Sequence, residues 1–302
     1  MATWPNFLQI GMAKTGTTSL HEYLGQHPEI FTTELKEPGF FVFEGQADIN
    51  DDREGWKPYI RDIDAYHALF ADVRGEKAIG ESTAAYIELV TPAVIERMRR
   101  YVPDVRLIAN FRHPVDHAFS YYVMRSRGRV VSIDDFAAVL RRDFDRADPL
   151  GVRWGLDETH YARSYASRIE LYLKAFDRGR IRLGLYDDFN ADPQAYVSDL
   201  FGFLEVDEGF RVDMSQQLNP GRVLRSSALR SITHKDNPIR TLARKIIPAG
   251  MRKRASRKLI EANLRPAPKL DAELRRELSL GFGDEIHRLE EILDRDLSHW
   301  LA

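Results

Sequence analysis

The chain has no cysteine in its 302 residues. That removes disulfides, thiolate nucleophiles and cysteine-ligated metals together, and it fits a reducing compartment. No window approaches the ~18 consecutive apolar residues that mark a membrane-spanning helix, so no transmembrane segment is predicted. The first residues lack the basic start and long apolar core of a signal peptide, and a cytoplasmic protein is the expectation. Neither sign of charge dominates, with 44 Lys and Arg against 46 Asp and Glu. No global field therefore points to nucleic acid. Internal repeats and low-complexity tracts are also missing. What remains, 43% hydrophobic and 30% charged residues, is the make-up of a globular protein long enough for one large α/β domain or a domain with a helical appendage.

The stretch 7–24, FLQIGMAKTGTTSLHEYL, organises the rest. Phe7, Leu8 and Ile10 read as a buried parallel strand. A turn from Gly11 to Gly16 follows, and a helix starts at Thr17, with Leu20 and Leu24 on one face. Strand, glycine turn and helix form the layout of a phosphate-binding loop, in which backbone N–H groups and the positive end of the helix dipole meet an anion. A nucleoside-triphosphatase loop reads G-x-x-x-x-G-K-[ST]. Gly11 and Gly16 have that spacing and Thr18 fills the last place, but Thr17 stands where the lysine belongs and the lysine comes earlier, at Lys14. The pattern predicts a phosphate cradle with its cation displaced.

Further along, residues 59–70 read as a helix with Tyr66, Leu69 and Phe70 inward. A short strand over 77–80 runs into Glu81-Ser82-Thr83, and Pro92 suits the first turn of a helix reaching Tyr101. Val105, Leu107, Ile108 and Phe111 make a second buried strand. Arg112 follows it, Pro114 blocks its extension, and 115–124 reads as helix. Ser132 and Asp135 resemble a capping box. Tyr161, Tyr165, Ile169, Leu173 and Phe176 recur at helical spacing. Residues 181–186 form a strand, Asp187-Asp188 a turn, and 195–204 an amphipathic helix. From about Asn219 strand signals stop. The segment 240–258 is basic with no acid, and 271–300 is helical, with Leu274, Leu278, Ile286, Leu289 and Leu293 as core candidates.

Strands alternating with helices predict an α/β, P-loop-like three-layer fold: a central parallel sheet flanked by helices, with a helical C-terminal region. Ligands in such sheets bind beyond the C-terminal strand ends. Lys14, Glu81 and Arg112 all fall just past such ends, so they are expected to converge. Arg112 and Ser120, eight apart across a strand end and the following helix, suit a second phosphate through a guanidinium fork and a hydroxyl. His21, His113 and His117 are scattered and read as structural or surface residues.

At these residues the chain resembles a family. FLQIGMAKTGTTSL is similar to the 5′-phosphosulfate loop of sulfotransferases that use 3′-phosphoadenosine 5′-phosphosulfate (PAPS). RLIANFRHPVDHAFSYY resembles their 3′-phosphate motif. GESTAAY, the segment HYARSYASRIELYLKAF, NPGRVLRS and DRDLSHWL have counterparts in bacterial and carbohydrate-type members. The resemblance implies a single sulfotransferase domain over 1–302, with an α/β core at 1–215 and a mainly helical region at 216–302. It implies PAPS as cofactor and adenosine 3′,5′-bisphosphate (PAP) as product; because the leaving group is already a phosphate and the loop carries a lysine, no metal is expected. Residue by residue, it implies that Lys14, Thr15, Gly16, Thr17 and Thr18 hold the 5′-phosphosulfate. Lys14 sits on the leaving oxygen, Arg112 and Ser120 bind the 3′-phosphate, and Arg225 closes over the cofactor. Glu37, in KEPGFF, matches the carbohydrate branch's base, and Glu81 is the next candidate.

Two departures narrow the acceptor. No histidine occurs between Gly80 and Glu88, where cytosolic small-molecule members carry their base, and Ser82 stands where glycosaminoglycan members commonly carry lysine. The expected reaction is sulfuryl transfer to a hydroxyl or amine, on a carbohydrate or glycolipid. A P-loop small-molecule kinase is the alternative, disfavoured by Thr17 and by the lack of an apolar strand ending in a magnesium-binding aspartate. A non-catalytic nucleotide-binding module is the third reading. Residues 240–258 read either as a dock for an anionic partner, an acidic glycan or a membrane surface contacted peripherally, or as a solvated basic helix. Nothing in the sequence signals oligomeric state.

Overall fold

A computed structural model describes residues 3–46, 59–125, 132–144, 164–215, 222–224, 264–266 and 268–302. The chain divides into two compact units. The first holds Met1–His113, Ser164–Leu218 and Asp284–His299; the second holds Pro114–Arg163, Asn219–Gly283 and Trp300–Ala302.

The first unit is built on a five-stranded parallel sheet. Its strands are β1 (Phe7–Gly11), β2 (Ile30–Thr32), β3 (Ala78–Ser82), β4 (Arg106–Phe111) and β5 (Ile181–Leu185), in the order β2-β3-β1-β4-β5. Every residue of β1 is buried, as its apolar run requires of a strand covered on both faces. Leu8 stands beside Glu81 on β3 and Leu107 on β4, and Phe111 beside Leu185 on β5. The chain lays β2 and β3 on one side of β1, then reverses to lay β4 and β5 on the other. The crevice of such a sheet opens at the C-terminal strand ends near that reversal.

Helices flank the sheet: α1 (Thr17–Leu24), α2 (Phe40–Phe43), α3 (Ile63–Ala68), α4 (Ala85–Glu88), α5 (Pro92–Tyr101), then α8 (Tyr165–Ala175), α9 (Tyr186–Ala191) and α10 (Pro193–Phe203). One core joins Phe7 and Ile108 to Leu20 and Leu24 of α1 and to Val197, Leu200 and Phe201 of α10. Elsewhere Phe40 stacks on Tyr66 at 4.3 Å between ring centroids, with Trp4, Phe41 and Phe70 around them. Buried Arg168 on α8 donates to the carbonyls of Ile87 and Glu88, closing the C-terminal end of α4. The last helix, α12 (Gly283–Leu293), joins this unit: Glu285 accepts from the Ala166 amide and Arg288 pairs with Glu170.

The second unit packs α6 (Pro114–Arg125), α7 (Ile133–Phe144) and α11 (Ala272–Leu280) together. Arg275 grips Asp116 with two nitrogens at 3.1 and 3.2 Å, Arg141 pairs with Glu277, and Phe119 and Phe144 meet Phe136 and Phe282. Among the described residues no helix is long and apolar enough to cross a membrane.

The helical reading of the C-terminal region holds for α11 and α12, which break at Gly281 and Phe282 instead of running through. It misses an antiparallel pair, β6 (Arg222–Leu224) with β7 (Leu264–Pro266). Asp187-Asp188 is not a turn: the two acids lie in the first turn of α9, where the helix dipole favours them. Tyr161 and residues 240–258 lie outside the described residues.

Candidate active site

The turn from Gly11 to Gly16 is fastened on several sides. Met12 donates its amide to the Asn110 carbonyl at 3.0 Å, Thr15 its hydroxyl to the Met12 carbonyl at 2.6 Å, and Ala13 its amide to Glu88 at 3.1 Å. Lys14 takes a left-handed conformation, φ 67°, uncommon for a residue with a side chain. Gly16 caps α1 at φ 84°, and a Cβ there would stand 2.9 Å from the Phe189 ring, so glycine is required twice over. The first amide to find an intrahelical partner is Leu20, bonded to the Gly16 carbonyl. Among the described residues, no side chain caps α1 and no acid lies in its first turn. Thr17, Thr18 and Ser19 thus begin a helix whose positive end is left for an anion.

Arg112 follows β4, as expected. Its Nη1 donates to the Lys14 carbonyl at 3.2 Å, and its guanidinium lies over the Tyr186 ring, 4.6 Å from the centroid. The register explains this: Phe111 pairs with Leu185, so the next residues of both strands leave the sheet side by side. Tyr186, which the sequence pattern assigns to the strand over 181–186, instead opens α9 just past the end of β5, and that one-residue difference is what brings its ring to Arg112. Ser120 lies on α6, in the second unit. Arg225 lies outside the described residues.

Glu37 is half-buried, also left-handed at φ 64°. Its amide donates to the Ser82 carbonyl at 2.9 Å, its Oε2 accepts from the Ala84 amide at 2.8 Å, and its Oε1 pairs with Lys36. One carboxylate edge is thereby fixed against the turn after β3. Lys36 also sends its charge toward His21. Burial first, then that charge, push His21 down to about 4, leaving it neutral. Its ring spans Ser82 Oγ at 2.9 Å and the Thr33 carbonyl at 3.1 Å. The structural reading of His21 fits this buried bridge.

Glu81 departs from the expected convergence. It lies within β3, fully buried, and three hydroxyls surround its carboxyl: Thr83 at 2.8 Å, Tyr86 at 2.5 Å and Tyr66 at 3.3 Å. Burial pushes its pKa up to about 7 against those hydrogen bonds, with the Glu37 charge adding to the rise. A carboxyl so enclosed does not touch an acceptor. Period-two alternation sends Glu81 to the face opposite Gly80 and Ser82, which the sequence reading did not weigh.

Comparison with known proteins adds to this geometry. A family model described as "Sulfotransferase family" matches residues 5–209. The human protein named bifunctional heparan sulfate N-deacetylase/N-sulfotransferase 2 is 24% identical over 206 residues, 67% of this chain and 22% of that protein. A Dictyostelium discoideum protein named membrane-associated sulfotransferase kil1 is 33% identical over 118 residues, 39% of this chain and 22% of its own. The chain thus spans about a fifth of the length of each. A crystal structure of a sulfotransferase from Alicyclobacillus acidocaldarius superposes with a TM-score of 0.66 at 28% identity, covering 99% of this chain and 100% of that one.

Proposed function

The chain belongs to the sulfotransferase family, and from that premise we propose that it moves a sulfuryl group from PAPS to a hydroxyl or amine on a carbohydrate or glycolipid, releasing PAP. The observation that carries the reading is the bond between Arg112 and the Lys14 carbonyl. It places a guanidinium fork directly against the loop that opens α1, where one bisphosphorylated nucleotide can engage both. The open helix start and the glycine demanded at Gly16 support the fit of a 5′-phosphosulfate there.

The donor supplies an activated sulfur bonded to a phosphate that leaves. Lys14 and the amides at Gly16–Thr18, with the Thr15 side chain bracing the loop, stabilise charge gathering on that phosphate. Arg112, with Ser120 and Arg225 as further ligands, holds the 3′-phosphate. Glu37 takes the acceptor's proton as the acceptor oxygen or nitrogen bonds sulfur and the sulfur–phosphate oxygen bond breaks. The Ala84 amide and Lys36 keep that carboxylate oriented. The names of the heparan sulfate relatives support a carbohydrate acceptor. In this reading residues 1–302 work as one sulfotransferase domain with its α/β core at 1–215, and the lack of cysteine accords with a cytoplasmic setting.

The test is calorimetric titration with adenosine 3′,5′-bisphosphate and adenosine 5′-monophosphate, with and without a chelator, followed by transfer of labelled sulfuryl group from PAPS to a panel of glycans. The bisphosphate should bind roughly thirtyfold to a thousandfold more tightly, the worth of charged hydrogen bonds at a second phosphate. Equal affinities, or a magnesium-dependent preference for ATP, would make the protein a kinase or a simple nucleotide binder.

A further inference from the structure

A left-handed φ of 64° is strained for a residue with a side chain, so something must hold Glu37 there. What holds it is the turn at the end of β3. Glu37 donates to the Ser82 carbonyl and accepts from the Ala84 amide, and two residues on the Gly39 amide donates to Thr83 Oγ1 at 3.3 Å. Gly39 itself is left-handed at φ 72°, and a Cβ on it would stand 2.4 Å from the Tyr59 ring, so only glycine fits at this point of the turn. The Thr83 hydroxyl has one proton, and it goes to Glu81 Oε2 at 2.8 Å. With the proton committed downward, the oxygen's lone pairs face Gly39. Tyr66 and Tyr86 hold the other Glu81 oxygen.

We propose that Glu81 and Thr83 are positioning residues for sulfuryl transfer: the buried carboxylate fixes the direction of the Thr83 hydroxyl, which pins Gly39 and so keeps Glu37 aimed at the acceptor. The proposal rests on Glu37 being the base. It makes the ionised form of Glu81 the working one. The groups facing Glu81 are the phenols of Tyr66 on α3 and Tyr86 on α4, the hydroxyl of Thr83, and through space the carboxylate of Glu37. Oε1 already accepts from two phenols, so an arriving proton is accommodated on Oε2, which turns from acceptor into donor. Thr83 can then no longer give its own proton downward, and two donors, its hydroxyl and the Gly39 amide, compete for the same space.

Three variants test this: Thr83→Val, Thr83→Ser and Glu81→Gln. In Thr83→Val, amide hydrogen exchange at Gly39 should quicken roughly two- to tenfold, the net worth of one hydrogen bond. In the same variant kcat should fall roughly tenfold or more, as a displaced catalytic group entails, while KM for PAPS stays put. Thr83→Ser, which keeps the hydroxyl, should restore both. Wild-type kcat should decline as pH falls below about 7, and Glu81→Gln should lose that limb while running at a lowered, flat rate. Wild-type exchange and wild-type kcat in Thr83→Val would overturn the proposal, as would an unchanged acid limb in Glu81→Gln. If Thr83→Val does not fold, the Glu81→Gln profile decides. Exchange at Gly39 needs neither donor nor acceptor. The wiring is therefore judged even if the wild-type protein transfers no sulfuryl group, an outcome that counts against the enzymatic reading instead.

Discussion

The Arg112 guanidinium donates to the backbone carbonyl of Lys14 at 3.2 Å. A residue expected on the 3′ side of the nucleotide thus braces the backbone on the 5′ side. A substitution at Arg112 is therefore not confined to one phosphate. Arg112→Ala should weaken the bisphosphate roughly thirtyfold to a thousandfold and also loosen the monophosphate by a few-fold, because the loop loses a brace. Tyr186→Leu removes only the ring beneath the guanidinium. It should cost roughly two- to tenfold in bisphosphate affinity, the scale of a partly exposed cation–π contact. Calorimetry on both variants checks the order. A Tyr186→Leu protein as damaged as Arg112→Ala would show that the ring contributes more than support.

Lys14 is expected to act on the chemical step. Its interaction strengthens as the leaving phosphate gains charge, so Lys14→Ala should lower kcat roughly a hundredfold or more with a smaller change in PAP affinity. Single-turnover rates separate the two, and an unaltered rate removes Lys14 from the mechanism.

Glu37→Gln keeps the side chain's shape and its capacity to accept from Ala84, but it does not take a proton. PAP affinity should stay near wild type while turnover drops on the order of a hundredfold. A fully active Glu37→Gln would move the base elsewhere. Glu81 is not the replacement, since its carboxyl is enclosed by three hydroxyls.

The two buried titratable groups beside this site pull stability in opposite directions. His21 is held at about 4, below its usual 6.5. Between those values the unfolded chain binds a proton that the folded protein refuses, so stability is full above pH 6.5 and is lost as pH falls toward 4. Glu81 is held at about 7, above its usual 4.5. There the folded protein binds the extra proton, so stability is gained as pH falls from 7 to 4.5. Each is worth on the order of 3 kcal/mol, and they oppose each other from pH 6.5 to 4.5. Urea unfolding across that window should give a rising stability in His21→Gln as pH falls and a declining one in Glu81→Gln. Matching slopes in the two variants would refute the pairing.

The parts of this site legible in the sequence are those with a local pattern. Phe7 to Leu24 announces strand, glycine turn and helix within one stretch, and Pro114 stops β4 where Arg112 is needed. The helix over 92–101 was equally readable, because Thr91 caps it and Pro92 opens it. What escaped was set by neighbours far along the chain. The β2 strand has three residues and no alternation to read. The α2 helix is four buried residues after a Pro-Gly pair that signals only a turn. Glu81 looked like a site residue because acids near strand ends often are. Its true surroundings, Tyr66 fifteen positions before and Tyr86 five after, are brought together only by the fold.

The position of β1 has a further consequence for how the protein comes into being. β1 leaves the ribosome before both of its partners, β3 and β4, which lie about 70 and 100 residues later. Until residue 111 is available, Phe7, Leu8 and Ile10 have only one flanking strand or none, and the loop that follows them lacks the Asn110 carbonyl and the Arg112 brace. Non-local pairing of this kind is slow to form and leaves an apolar edge open meanwhile. The segment proposed to hold the nucleotide is therefore completed after β4, and a nascent chain cut short before β4 would present a sticky strand with an unbraced loop.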